Sequence, residues 1–156
     1  MKAKPVVVVD TREKEPYTFD PARVEVVRRA LAAGDYSLLG LESSVAVERK
    51  SMEDFVGTVI RGRERFANEL AKLRGCEFAC VVVEGSLMDV LSGNYRSDAH
   101  PNAVLGSALS IIVDYRIPVF FCSNRQAARL FVEQLLLRLS EKVDATCQNQ
   151  EVPRQS

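Results

Sequence analysis

The sequence predicts an α/β protein: an α/β/α sandwich with a central mixed sheet and helices on both faces. Short β-branched runs, such as PVVVVD at residues 5–10, alternate with longer segments whose apolar residues recur at helical spacing. Apolar residues make up 47% and charged residues 27% of the 156 residues, as in a water-soluble folded domain. We expect one domain over residues 1–142, followed by a flexible polar tail at 143–156.

The first segments are predicted as a strand and a helix. The run at residues 5–10 is typical of a strand buried on both faces. Residues 20–34 are predicted as a helix because Asp20 can cap it, Pro21 suits the first helical position and Gly34 can end it. The apolar stripe of this helix would consist of Val24, Val27 and Leu31.

A hairpin and a second helix are predicted next. Residues 35–39 and 44–49 alternate like two short strands, joined by a tight connection near Gly40. Ser51 followed by Asp54 resembles a capping box that begins a helix. Its inward face would be Met52, Phe55, Val56 and Val59.

The remaining pattern continues the alternation of helix and strand. Helix is predicted to continue through residues 61–75 and to end at Gly75, and a buried strand follows at 77–85. The later elements are a loop with a short helix at 86–102, a helix at 103–115, a strand at 117–122 and an amphipathic helix from about Asn124 to Lys142.

Composition excludes several classes of protein. No stretch has the roughly 18 consecutive apolar residues that a membrane span needs, and the first apolar run is too short for a signal peptide, so we expect a cytoplasmic protein. One histidine and four cysteines, two of them inside apolar runs, favour reduced structural thiols over a zinc site. The formal net charge is zero, so a nucleic-acid partner would have to bind through local cations.

Charges at the end of the second hairpin strand provide the first functional signal. Glu48 and Lys50 lie on the same face of that strand, and Asp35 begins the antiparallel strand beside it. Two close carboxylates can hold a hard divalent cation, and the lysine can stabilise charge on phosphorus oxygens, as phosphodiester hydrolysis requires. The triplet by itself, however, favours a solvated strand end with an ion pair.

Three longer segments make the functional interpretation more specific. VDTRE at residues 9–13, GDY at 34–36 and ERKSMED at 48–54 resemble, in order and spacing, the nuclease domain of the XPF family of structure-specific DNA endonucleases. The resemblance implies a restriction-endonuclease-like fold, dependence on Mg²⁺ or Mn²⁺, and cleavage of DNA near branch points in repair or recombination. Because tandem helix-hairpin-helix domains are not expected after Leu139, the chain resembles a stand-alone nuclease domain of bacterial or phage type.

The resemblance also implies a set of site residues. Asp35 and Glu48 would bind the metal directly, the carbonyl of Arg49 would be a further ligand, and Asp10 would reach the metal through water. Lys50 would be the catalytic lysine.

Other residues of the family segments would complete the pocket. Glu13 would be a further acidic member, and Arg12 would face the scissile phosphate. Asp54 fits the family signature but equally fits a helix-capping role.

Three arginines beyond these segments are candidate DNA contacts. Arg61, Arg63 and Arg65 could bind phosphates, and Gly62 with Arg63 is the preferred match to a Gly-Arg element of the family. The alternative is a solvated helix start with pairs such as Arg65 and Glu69.

A metal-dependent DNA endonuclease is therefore the leading interpretation, with branched DNA as substrate. The alternatives are another nuclease of the same fold, such as a junction resolvase, or a catalytically silent DNA-binding or scaffolding module. The silent module is disfavoured because Asp10, Asp35, Glu48 and Lys50 are all present. With so few local cations, we expect a homodimer or a partner protein to assist binding.

Overall fold

The computed structural model describes residues 3–150, with side chains described for residues 3–147. Six strands form one mixed sheet in the order β2-β1-β3-β4-β5-β6. The strands are β1 (Val6–Asp10), β2 (Glu25–Arg29), β3 (Tyr36–Leu38), β4 (Val45–Ser51), β5 (Phe78–Glu84) and β6 (Val119–Phe121). The helices are α1 (Met52–Ile60), α2 (Arg63–Arg74), α3 (Leu87–Leu91), α4 (Pro101–Asp114) and α5 (Arg125–Gln150).

The sheet confirms the predicted mixed architecture. β3 pairs antiparallel with both β1 and β4, and the other neighbouring strands run parallel. Side chains of β5 alternate between two hydrophobic clusters: Val81 and Val83 pack with α1, α2 and α4, whereas Cys80 and Val82 pack with α5. Helices therefore cover both faces of the sheet, as predicted. No helix in the described part of the chain is both long and apolar enough to cross a membrane.

The helix predicted over residues 20–34 is wrong. Residues 21–23 form a turn, and Glu25–Arg29 forms the edge strand β2, parallel to β1. Asp20 does not cap a helix. Its carboxylate accepts a hydrogen bond from the Ala22 amide at 2.9 Å, and its own amide donates to the buried carboxylate of Glu133 on α5 at 2.6 Å. Local turn chemistry and strand pairing with β1 thus outweighed the helical spacing of apolar residues.

The predicted start of α1 and the predicted end of α2 agree with the structure. Ser51 caps α1 by accepting a hydrogen bond from the Asp54 amide at 3.1 Å, and the four predicted inward residues are all buried. The helix does not continue unbroken into residues 61–75, because Arg61 and Gly62 separate α1 from α2. Gly75 follows the end of α2, as predicted.

The last helix is longer than predicted. α5 continues to Gln150 instead of ending near Lys142, so part of the expected tail is helical. The final six residues of that tail, 151–156, lie outside the described residues.

Candidate active site

A polar pocket of about 390 Å³ lies where β1, β3 and β4 meet α2. It brings together three of the predicted acids, which come from three different strands or strand ends. Asp10 ends β1, and its amide donates to the Asp35 carbonyl at 2.8 Å. The pairing of Tyr36 with Val47 sets Asp35 beside Glu48. The lining residues are Asp10, Arg12, Ala32, Ala33, Gly34, Asp35, Glu48, Arg65, Asn68, Glu69 and Lys72.

Gly34 permits the close approach of the two hairpin strands. Its φ is +73°, and a Cβ at this position would lie 3.1 Å from both the Val47 carbonyl oxygen and the Ala46 Cβ. Any other L-residue would combine an unfavourable backbone with a tight contact. The Gly-Asp pair of the sequence therefore has a structural basis: the glycine lets Asp35 lie against β4.

Asp35 is a half-buried carboxylate and Glu48 a buried one, and their charges repel each other. Burial is the main cause that raises the pKa of Asp35 to about 6, although the Arg49 amide donates to its Oδ2 at 2.8 Å and opposes the shift. Burial, followed by the charge of Asp35, raises the pKa of Glu48 to about 8 despite the nearby ammonium of Lys50. The positive charge near the two acids therefore does not offset the effect of burial on their pKa values.

Asp10 is held by two neighbouring groups. Its Oδ1 accepts a hydrogen bond from the Leu31 amide at 3.0 Å, and its Oδ2 accepts one from Arg12 Nε at 3.0 Å. The Arg12 side chain remains 72% exposed at the mouth of the pocket. Both oxygens of Asp10 therefore already accept one hydrogen bond from the protein.

Lys50 lies between two carboxylates. Its Nζ is 3.6 Å from Glu48 Oε1 and 3.8 Å from Glu69 Oε2, and it lies 5.4 Å from the centre of the Phe66 ring. From the sequence, Glu69 is predicted only as a partner of Arg65, and that pair is present at 3.9 Å. The place of Glu69 in the pocket depends on how α2 packs against β4, which no local pattern indicates.

The Arg49 side chain lies on the opposite face of β4 from Glu48 and is largely buried. Only 9% of it is exposed, and it binds both oxygens of Glu84, at 3.1 and 2.7 Å. Glu13 contacts the same guanidinium at 3.4 Å, and the Tyr17 hydroxyl donates to Glu84 at 2.7 Å. Burial acts to lower the pKa of Arg49, but the hydrogen bonds and charge of Glu84 outweigh burial and raise it. Glu13 therefore belongs to a buried ionic network that flanks the pocket.

The three candidate arginines separate in space. Arg65 lines the acid pocket and its side chain is 91% exposed. Arg63 lines a different cavity, a largely apolar groove between α2 and α4, and its Nε donates to the Val59 carbonyl at 3.1 Å. Arg61 is exposed and follows the end of α1. Lys50 does not line the acid pocket. Together with Asp54 it lines a third pocket, and the Asp54 amide also donates to Ser51.

The donor set of the pocket fits a hard divalent cation. Asp35 and Glu48 offer carboxylate oxygens, and a cation bound to both would oppose the burial and charge repulsion that raise their pKa values. Within residues 3–147, no three Cys, His, Asp or Glu side chains converge closely enough to hold an ion alone. Two carboxylates, a backbone carbonyl and waters would thus have to complete the coordination, as is common for Mg²⁺.

Comparison with curated proteins gives relatives from archaea. The chain is 34% identical over 140 residues to a candidate ATP-dependent RNA helicase of Methanocaldococcus jannaschii, and 27% identical over 140 residues to the 3′-flap repair endonuclease Xpf of Saccharolobus solfataricus. These matches cover 89% and 87% of this chain. The chain spans only 16% of the first relative and 54% of the second.

Solved structures give the same family. XPF from Aeropyrum pernix in complex with DNA superimposes with a TM-score of 0.69 at 27% identity, over 89% of this chain and 66% of that one. A second structure of the same protein gives a TM-score of 0.68 at 27% identity, over 87% and 61% of the two chains. The restriction-endonuclease-like fold is thus confirmed. The family model of the ERCC4 domain matches residues 9–135, and the chain therefore belongs to the ERCC4 domain family of XPF-type nucleases.

Proposed function

We propose that this chain is a Mg²⁺- or Mn²⁺-dependent endonuclease that hydrolyses DNA phosphodiester bonds near branches or junctions between single and double strands. The observation that carries the proposal is that Asp35 and Glu48 meet in one pocket, with the Lys50 ammonium 3.6 Å from Glu48, in a member of the ERCC4 family. The flap endonuclease among the relatives and the DNA complex of the neighbouring structure support the same substrate class.

Asp35 and Glu48 are the proposed ligands of the metal ion, with the Arg49 carbonyl as a further one. A bound divalent ion supplies an acidified water and neutralises charge on the phosphorus oxygens. Lys50 stabilises the negative charge that develops on the phosphate, and its ammonium is already held 3.6 Å from Glu48. Asp10 orients Arg12, and the exposed guanidinium of Arg12 is the proposed contact to the scissile phosphate.

Arg65 is the proposed DNA contact among the three candidate arginines. It lies at the acid pocket together with the polar side chains of Asn68 and Lys72, which follow it on the same face of α2. Arg63 and Arg61 lack this position, so their contribution to DNA binding would have to come from outside the pocket.

A second copy of the chain or a partner protein is proposed to help hold DNA. Six large apolar side chains are exposed on two helices that contact each other, α3 and α4. They are Leu87, Met88, Leu91, Leu109, Ile112 and Val113. Exposed apolar area of this kind marks interaction surfaces. Light scattering of wild-type protein and a Val113→Glu variant tests the homodimer directly.

The decisive experiment for the function is a substrate panel. Labelled single-stranded, duplex, flap, splayed-arm and four-way DNA are incubated with purified protein and Mg²⁺, Mn²⁺ or EDTA. We expect metal-dependent cuts close to the branch in flap or splayed-arm DNA. Symmetric cuts confined to four-way DNA would instead identify a junction resolvase. Binding without cleavage under every metal condition would identify a silent DNA-binding module.

A further inference from the structure

Glu69 is a charged residue on α2 that the proposed metal and phosphate contacts leave without a role. Its Oε1 is 3.9 Å from Arg65, at the exposed side of the helix, and its Oε2 points inward to Lys50. This Oε2 is buried and accepts no hydrogen bond from any residue that the structure describes. A buried carboxylate oxygen without a hydrogen bond is costly, so its compensation must come chiefly from the Lys50 ammonium 3.8 Å away.

Lys50 has three neighbours that fix its ammonium. Glu48 and Glu69 lie at similar distances from Nζ, 3.6 and 3.8 Å, and the face of the Phe66 ring is a third, weaker partner. The two acids come from different elements, since Glu48 is on β4 and Glu69 is on α2. The position of the Lys50 ammonium therefore depends on how α2 packs against the sheet.

A bound cation would affect the attraction of Glu48 and of Glu69 for Lys50 differently. Glu48 shares its single negative charge between Lys50 and any cation held with Asp35, so its attraction for Lys50 falls when a cation is bound. Glu69 is outside the proposed ligand set, so its charge stays available to Lys50 at 3.8 Å and to Arg65 at 3.9 Å.

We propose that Glu69 is a positioning residue, whose carboxylate keeps the Lys50 ammonium beside Glu48 when Glu48 binds a metal ion. The proposal rests on the proposed nuclease function. In this proposal Glu69 positions Lys50 and does not bind the metal ion. These are the two roles that an acidic residue near the pocket could have.

The test compares Glu69→Gln and Glu69→Asp with Glu64→Gln, an exposed acidic residue in the first turn of the same helix. We expect Glu69→Gln to lower kcat on flap DNA by roughly tenfold to a hundredfold with KM almost unchanged, because a displaced catalytic group reduces the chemical step. Glu69→Asp should recover part of the loss because it retains the charge. Glu64→Gln should match wild type.

Two further measurements separate positioning from other roles. In a Lys50→Ala background, Glu69→Gln should cause no additional loss of kcat, because the ammonium that Glu69 positions is already removed. Metal titration by calorimetry without DNA should give the wild-type affinity for Glu69→Gln. Circular dichroism and thermal melting check the fold, and if Glu69→Gln does not fold, Glu69→Asp alone and with Lys50→Ala provides the same cycle.

The outcomes that would overturn the role of Glu69 are distinct. Unchanged kcat in Glu69→Gln, an equal loss in the Lys50→Ala background, or lost metal affinity would each refute positioning while leaving the nuclease function in place. Absence of metal-dependent cleavage by wild-type protein would refute the proposed function, and this proposal with it.

Discussion

The Asp35 carboxylate accepts a hydrogen bond from the Arg49 amide at 2.8 Å, while the Arg49 guanidinium binds Glu84 at 2.7 Å on the other face of β4. One residue therefore links an acid of the pocket to a buried ionic network behind the sheet. Side chains alternate along a strand, so consecutive residues can serve both faces. This arrangement explains the three consecutive charged residues near the end of β4: Glu48 faces the acid pocket, Lys50 pairs with Glu48, and Arg49 binds the buried network on the other face.

Removal of either paired acid should abolish cleavage without unfolding the protein. We expect Asp35→Asn and Glu48→Gln each to lower the cleavage rate by at least about a hundredfold, since the proposed metal ligand set loses a charge. Cleavage of labelled flap DNA at saturating Mg²⁺ or Mn²⁺ measures the effect. Circular dichroism confirms matched folding. Turnover at the wild-type level in either variant would refute the metal-site assignment.

The raised pKa of Glu48 predicts a pH-dependent stability of the metal-free protein. The folded state holds this proton more tightly than the unfolded state, so folding becomes less favourable as pH rises from about 4.5 through about 8. Glu48→Gln removes the titration. In EDTA, its melting temperature should therefore exceed that of wild type by a few degrees at pH 8.5 and by much less at pH 5, given about 2–4 °C per kcal/mol at this size.

The controls for this pH effect use the neighbouring charges and the metal. Asp35, Lys50 and Glu69 all act on the Glu48 carboxyl, so its titration is read as a difference between variant and wild type at each pH. Added Mg²⁺ should raise the wild-type melting temperature at pH 8.5 more than that of the variant. A stability difference that does not change between the two pH values would contradict the prediction.

The Arg49 network should contribute strongly to stability. The Arg49 and Glu84 side chains are only 9% and 6% exposed, and removal of one partner leaves the other charge buried and uncompensated. Arg49→Met should therefore lower the free energy of unfolding by about 3–5 kcal/mol, measured by urea denaturation. Arg74→Met is the matched control, because Arg74 is exposed at the end of α2. Equal stabilities of the two variants would show that the network contributes little.

DNA binding should depend on Arg65 more than on Arg63. Arg65 lies at the acid pocket, whereas Arg63 lies in the apolar groove between α2 and α4. Fluorescence anisotropy measures the affinity for DNA at several salt concentrations, and EDTA prevents cleavage during the measurement. Arg65→Ala should lower the slope of log affinity against log salt by about 0.9, the value for one phosphate contact, and weaken flap and duplex DNA alike. Arg63→Ala should leave the slope unchanged, and the opposite ranking would place the DNA path over the groove.

The sequence by itself determined the order of strands and helices after residue 34, including the hairpin and the capped start of α1. These features depend on local chemistry: β-branched runs pair as strands, Gly40 has a φ of +85° in the hairpin connection, and the Ser51 hydroxyl caps the nearby Asp54 amide. The register of an antiparallel hairpin also follows from a short connection. Hence the proximity of Asp35 to Glu48 could be predicted, and the structure confirms it.

Only the tertiary structure decided the conformation of residues 20–34 and the positions of Arg49, Glu69 and Arg65. The segment predicted as a helix became β2 because β1 offered an edge with unpaired hydrogen-bonding groups. Glu84 follows Arg49 by 35 positions and Glu69 follows Lys50 by 19, so the partners of these charges become neighbours only when β5 and α2 pack against β4. Such contacts arise from packing between distant segments, and a local pattern of residues carries no information about them.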